Sequence, residues 1–394
     1  MKLLVLLSRV PYPVEKGDKL RAFHQIRCLS KDHEITLCAL SEGDPHPEAL
    51  SVLGQYCRNI HLIPISKFGM IMNVLKVLFN GKPFQIGYFY RSGARGKIRR
   101  LIREIKPDHI YCQLIRMSEY VMDVPVKKTL DYQDVFSMGM KRRLAKVAWW
   151  KKPVFLIEYR RLLKYEQQVF TRFDGRTIIS APDRELIPHP LRHKVVIVPN
   201  GVDHEYFTPG VASKSYDLVF TGNMGYPPNV DAAEYLIREI FPMVKKEIPG
   251  VRLLIAGATP HPRLKALQSE EITVSGWMPD IRESYAVSRV FIAPMQIGTG
   301  LQNKLLEAMA MKLPCITSPL ANSALKAAEN KEILVAESAE EYTGHILNLL
   351  RNPLLSQAIA EAGHAFVINN YSWERTTGLL HNLIQSLAIQ QDKL

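Results

Sequence analysis

The chain has 394 residues, 47% hydrophobic and 23% charged, with a net charge of +13. That apolar content suits a globular protein of two or three domains with two cores. Its five cysteines, at 28, 38, 57, 112 and 315, are odd in number, scattered and without a CxxC, which excludes a disulfide framework or zinc site and suits a reduced, cytoplasmic chain.

The first element is "KLLVLLS". Its apolar run, Leu3 to Leu7, is too short for a secretory signal and reads as a buried strand. No later run approaches the roughly 18 apolar residues of a membrane span. A helix over "GDKLRAFHQIRCLSK" and a strand over "EITLCAL" follow, then short apolar runs at "NIHLIPI", "HIYCQL" and "KKTLDY". After the Pro/Gly-rich "VVIVPNGVDHEYFTPG" (195–210), which suits a hinge, the alternation resumes. "YDLVFTG" leads to an amphipathic helix from Pro228, and "VRLLIAG", "ITVSG", "RVFIAP" and "LPCITS" read as further strands. A final helix is capped by Ser372. Strands alternating with helices predict parallel sheets covered on both faces.

The charge divides unevenly. Residues 1–200 hold 35 Lys+Arg against 18 Asp+Glu, whereas residues 201–394 hold 16 against 20. A basic half joined to a mildly acidic one suggests two jobs on two domains.

The stretch "MQIGTGLQNKLLEAMAM" (295–311) follows the strand "RVFIAP" and so lies where ligands sit in open α/β sheets. Gly298 and Gly300 let a ligand approach the backbone closely. The helix expected from Leu301 or Gln302 directs a partial positive charge at that loop, and Lys304 adds a full one. Glu307, three residues on, shares a face with Lys304 and can accept hydrogen bonds from a ribose diol. The alternative is a solvated surface pair beside an ordinary tight turn.

"GTGLQNKLLEAMAMKLPCITS" resembles the donor-site motif of the GT4 group of GT-B glycosyltransferases. The segments "VVIVPNGVDHEYFTP", "LVFTGNMGYPPNVDAAEYLI", "VRLLIAGATP" and "ITVSGWMPDIRESYAVSRVFIAP" resemble further family motifs in the same order, over residues 195–375. "PYPVEKGDKLRAFHQIRCLSKDHEITLCAL" resembles the subgroup found with exopolysaccharide assembly systems. The resemblance implies an α/β GT-B fold of two Rossmann-like domains facing across a donor/acceptor cleft. An acceptor-binding domain would span 1–197 and a nucleotide-sugar-binding domain 198–372, with a helix over 373–394 crossing back to the first. It implies a metal-independent, retaining sugar transfer, with no cofactor, from a UDP- or GDP-sugar to a glycan or lipid-linked acceptor, in cell-surface polysaccharide synthesis.

By that resemblance Glu307 holds the donor ribose, and Lys304, Gly298, Thr299 and Gly300 surround the diphosphate. Gly222 and Asn223 line the cleft, and Trp277 and Met278 lie near the base. Three departures stand out. Thr299 replaces a frequent carboxylate, "GNMGYPPNVD" lacks the frequent Arg and Lys, and Gln113 stands where many relatives have histidine.

Acceptor-side candidates are Gly17 and Arg21 in "RVPYPVEKGDKLR", Gln113, and Asp131 and Asp134 in "LDYQDVFS"; each carboxylate reads equally as a cap or an ion-pair partner. Basic segments 91–106 and 141–152, the latter with two tryptophans, and the apolar stretch 68–79 suit an anionic membrane surface, and equally a solvated face beside a core helix. The expected location is cytoplasmic, with peripheral attachment to the membrane face through 68–106 and 141–152. Competing readings are a sugar-nucleotide epimerase or phosphorylase, a catalytically inactive GT-B module, and a nucleic-acid binder, for which no recognition motif is present.

Overall fold

The computed structural model describes residues 1–389 apart from 67–68, 70–71, 74–76, 78–79, 211 and 299. The chain divides into two compact units, one formed by Met1–Pro199 with Thr376–Leu394 and the other by Asn200–Arg375.

Among the described residues the first unit carries seven strands: β1 (Lys2–Leu7), β2 (Glu34–Ser41), β3 (Asn59–Pro64), β4 (His109–Gln113), β5 (Lys128–Asp131), β6 (Gly175–Ile178) and β7 (Val196–Ile197). Their order is β3-β2-β1-β4-β5-β6-β7, and every pairing is parallel. The period-two geometry of a strand splits β1 between two cores. Leu4 and Leu6 pack with Ile110, Cys112, Tyr120 and Phe170 on one face. Leu3, Val5 and Leu7 pack with Ile26, Leu37, Leu380 and Ile384 on the other. Both faces are apolar, so β1 reads as an unbroken hydrophobic run.

Leu380 and Ile384 belong to the C-terminal helix, Trp373–Ile389. Its start is capped by Ser372, whose Oγ accepts from the backbone N–H of Arg375 at 3.3 Å.

The second unit carries β8 (Tyr216–Thr221), β9 (Leu253–Ala256), β10 (Ile272–Gly276), β11 (Ser288–Ala293), β12 (Cys315–Thr317) and β13 (Leu334–Val335), in the order β10-β9-β8-β11-β12-β13. All its pairings are parallel as well. In both sheets the order reverses beside the first strand, between β1 and β4 and between β8 and β11. The carboxyl ends of those strands are therefore where each unit can hold a ligand.

All five cysteines are free and buried. Burial pushes the Cys38 and Cys57 thiols up to about 12, so neither ionises near neutral pH. No helix among the described residues is long and apolar enough to cross a membrane.

Candidate functional site

At the carboxyl end of the second sheet, three strand-to-helix turns come together. The helix after β11 spans Asn303–Ala310, starting later than Leu301 or Gln302 because Gln302 is still extended (φ −92°, ψ 102°). Lys304 falls in its first turn and is 9% exposed. Its Nζ donates to Asn229 Oδ1 at 2.5 Å, lies 3.9 Å from Met295 Sδ and sits 4.6 Å from the centre of the Phe220 ring. Among the described residues no carboxylate pairs with it directly. Burial pushes its ammonium down to about 7, and Glu307 offsets only part of that cost.

Asn229 is fixed in turn. It stands in the helix Pro227–Tyr235, and its Nδ2 donates to the carbonyl of Asn223 at 2.9 Å, which leaves Oδ1 as the acceptor aimed at Lys304. Asn223 Oδ1 accepts from the Gly225 N–H at 2.9 Å and from Thr259 Oγ1 at 2.8 Å, tying the turn after β8 to the turn after β9.

Gly222 is required where these turns meet. Its φ is +150°, and a Cβ there would stand 2.8 Å from Asn229 Nδ2 and 3.2 Å from Lys304 Nζ. Any side chain at this position would crowd both the amide and the ammonium. Gly257 (φ +139°) is equally constrained, since its Cβ would stand 1.8 Å from the Gly222 carbonyl oxygen.

Glu307 is half-buried one turn along the helix. Its Oε2 accepts from the Tyr285 hydroxyl at 2.7 Å, and Oε1 has no partner among the described residues. Tyr285 is fully buried and its oxygen lies 2.8 Å from Thr221 Oγ1, so Thr221 donates to it and fixes the ring. Burial raises the Glu307 carboxyl above its ordinary value, against the opposing pull of Tyr285 and Lys304.

The structure therefore brings together Gly222, Asn223, Lys304 and Glu307. Gly298 (φ +109°) and Gly300 precede the same helix, and Gln302 Nε2 donates to the Gly300 carbonyl at 2.9 Å. Thr299 lies outside the described residues. Trp277 is 68% exposed after β10, whereas Met278 packs partly against the core. The sequence reading missed Asn229, Tyr285 and Phe220. Only Asn229 had a signal, as a polar residue inside the "GNMGYPPNVD" stretch.

The acceptor-side candidates in the first unit divide differently. Arg21 and Asp131 are both 0% exposed and bind each other through Nε to Oδ2 at 2.7 Å and Nη2 to Oδ1 at 3.1 Å. Thr177 Oγ1 donates to Oδ1 at 2.8 Å, and the Tyr111 hydroxyl lies 2.9 Å from Oδ2. With no exposed atom, neither side chain is offered to an acceptor; the pair braces the core between the first helix and β5. Gln113 is likewise buried, donating to the Asp18 carbonyl at 3.3 Å. Gly17 is exposed at the start of the Gly17–Leu29 helix. Asp134 also reaches solvent, and the crowding around it together with Asp183 raises its carboxyl above the ordinary range.

Part of the basic surface is internally satisfied. Arg95 and Arg99 converge on Asp123, and Arg100 pairs with Glu104. Trp149 and Trp150 are 80% and 62% exposed, with Lys151 Nζ 4.6 Å from the Trp150 ring centre. The apolar stretch 68–79 lies largely outside the described residues.

Residues 215–352 match the family model described as glycosyl transferases group 1. A Klebsiella pneumoniae protein, described as an uncharacterized 44.6 kDa protein in the cps region, is 21% identical over 393 residues, covering 94% of this chain and 96% of its own. Sucrose-phosphate synthase from Thermosynechococcus elongatus has a similar structure, with a TM-score of 0.69 at 15% identity over 98% of this chain and 99% of its own. Anabaena HepE, solved in complex with UDP and glucose, gives 0.69 at 12% identity over 98% of this chain and all of its own (100%). At these identities the structural likenesses bear on the fold alone. The fold is the two-domain α/β architecture of GT-B glycosyltransferases.

Proposed function

We propose that this protein is a glycosyltransferase that takes a sugar from a nucleoside-diphosphate sugar and passes it to a glycan or lipid-linked acceptor in cell-surface polysaccharide synthesis. The observation that carries the reading is Lys304: a buried ammonium bordered by Gly222, with no paired carboxylate among the described residues, and three residues from a carboxylate with one oxygen that has no partner among them. A buried cation left in this state is costly unless a ligand supplies the missing charge. A diphosphate would supply it, and a ribose diol would engage Glu307 Oε1. The group 1 glycosyl transferase match over residues 215–352 and the UDP and glucose bound to Anabaena HepE support this reading, and the cps-region relative supports the polysaccharide setting.

In this reading the bond between the anomeric carbon and the diphosphate oxygen breaks as the acceptor oxygen attacks from the same face, so configuration is retained. The acceptor's proton passes to the departing phosphate. Lys304 and the N-terminus of Asn303–Ala310 stabilise the charge that develops on the diphosphate without a metal ion. Attachment to an anionic membrane is proposed through 141–152, where the exposed tryptophans and lysines are concentrated.

The test is a thermal-shift panel of UDP, GDP, ADP, CMP and their sugar conjugates on wild type, Glu307→Ala and Glu307→Gln. One nucleoside diphosphate should stabilise the wild type and lose most of that effect in both variants. Equal stabilisation of all three proteins would remove Glu307 from the donor site, and no response to any nucleotide would sink the donor reading. Change in a free sugar nucleotide without an acceptor would identify an epimerase instead.

A further inference from the structure

Outside the site just described, the carboxyl end of the first sheet holds a second cation with no paired anion among the described residues. β4 ends at Gln113, and Leu114 adopts φ +66° and ψ 143°, a conformation a non-glycine residue rarely keeps without reason. That turn leads into the 3-10 helix Ile115–Tyr120 and sets Arg116 beyond the strand end. Its guanidinium lies between two rings, 4.9 Å from the centre of Phe89 and 4.7 Å from that of Phe136. Its one hydrogen bond among the described residues runs from Nη2 to Gln85 Oε1 at 3.2 Å, and Nε is buried without a partner.

The surroundings do not neutralise it. Burial pushes the guanidinium down to about 10, and Arg9 and Arg143 add to the effect. Asp18 and Glu42 act the other way, but Asp18 is engaged by Arg9 Nη1 at 3.1 Å. The helices Gly17–Leu29 and Phe136–Lys146 begin at this same end of the sheet, the second with no acidic residue in its first turn. Arg21, whose partner Asp131 stands beside Gln113 on the neighbouring strand, shows how this unit treats a structural arginine: it gives it a carboxylate.

We propose that Arg116, assisted by Arg143, seats a phosphate or diphosphate ester carried by the acceptor. The planar fork fits phosphate oxygens, and the two rings hold it in one orientation in advance. Identifying the ester as the acceptor's rests on the glycosyltransferase reading; the anion seat itself does not.

The experiment is calorimetric titration of the full chain with inorganic pyrophosphate in a Lys304→Met background, which removes the proposed donor seat. Pyrophosphate should still bind, and adding Arg116→Met should weaken it by about tenfold, the scale of one charge-assisted hydrogen bond. Arg116→Lys, a milder change, should give a smaller loss and serves if the methionine variant does not fold. No binding in the Lys304→Met background, or unchanged affinity in both Arg116 variants, overturns the proposal. Geranyl diphosphate run in parallel separates the sources: tighter binding than pyrophosphate points to a lipid-linked ester, equal binding to a soluble phosphorylated one. UDP titrated into wild type is the separate check on the donor reading, and its failure leaves the pyrophosphate result intact.

Discussion

Lys304 and Arg21 are both buried cations at the carboxyl end of a parallel sheet, and they have opposite surroundings. Arg21 meets Asp131 through two hydrogen bonds, with Thr177 and Tyr111 completing the carboxylate's shell. Lys304 meets an amide oxygen, a thioether and an aromatic face. The first arrangement satisfies its charge inside the protein, so nothing remains for a ligand to do. The second leaves charge unneutralised, a cost that an incoming anion would offset. Arg116 resembles Lys304 in this respect, with rings on both sides and one neutral acceptor. Burial alone does not separate a structural cation from a functional one; the partner does.

The sharpest way to break that comparison is to remove a partner. Asp131→Ala strands the Arg21 charge in the core, and the expected loss is about 3–5 kcal/mol, the cost of leaving half of a buried ion pair. Urea unfolding of the variant measures it, and a loss under about 1 kcal/mol would contradict a structural role for the pair. Lys304→Met should do the reverse. Stability is expected to be unchanged or higher, because a desolvated charge disappears. Nucleoside-diphosphate affinity should fall by at least about tenfold, the worth of a charge-assisted contact. Because the free ammonium sits near 7, wild-type affinity should also weaken as pH rises above neutrality, while the methionine variant stays flat. A variant that unfolds readily yet binds nucleotide normally would make Lys304 another Arg21.

Much of the fold was legible because strands buried on both faces leave continuous apolar runs, and β1, β4, β8 and β11 all do. Lys304 and Glu307 were legible for a local reason: three residues apart on one helix, they share a face wherever that helix goes. Their supports were not. Asn229 stands 75 residues from Lys304 and Tyr285 stands 22 from Glu307, and pairings at such range are set by strand order. The same limit left the acceptor side open. Asp131 read equally as an acceptor-side group, a cap or an ion-pair partner, and nothing local tells that it and Arg21, 110 residues apart, consume each other's charge. Arg116 left no trace at all, since its environment comes from Phe89 and Phe136 on other elements.

Gly222→Ala tests the access side of the comparison. A methyl group there would stand 3.2 Å from Lys304 Nζ, at a φ of +150° that side chains rarely adopt. The strained backbone should cost about 1 kcal/mol of stability. Nucleotide affinity should fall severalfold while the melting cooperativity is retained. Unchanged affinity in this variant would mean that a ligand reaches Lys304 by another route.

The last expected effect, confined to acid pH, concerns a buried basic group that is kept neutral. His33 Nε2 lies 3.0 Å from His381 Nδ1, joining the end of the first helix to the C-terminal helix within the first unit. Burial, His381 and the amino terminus push His33 down to about 4, with Asp32 opposing. The folded state therefore takes up its proton later than the unfolded chain. Above the ordinary histidine value both states are neutral and the group contributes no pH dependence. As pH falls from about 6.5 towards 4 the unfolded chain is protonated first, so stability drops, and below 4 the loss levels off. His109, also held near 4 by burial, adds a loss of the same sign. His33→Gln should remove on the order of 1–2 kcal/mol of the acid-induced loss, read from urea midpoints between pH 7 and about 4. An identical pH profile in the variant would mean that His33 is protonated in the folded protein after all. The first unit would then tolerate a histidine cation where it neutralises its arginine, and the contrast with Lys304 would rest on Arg21 alone.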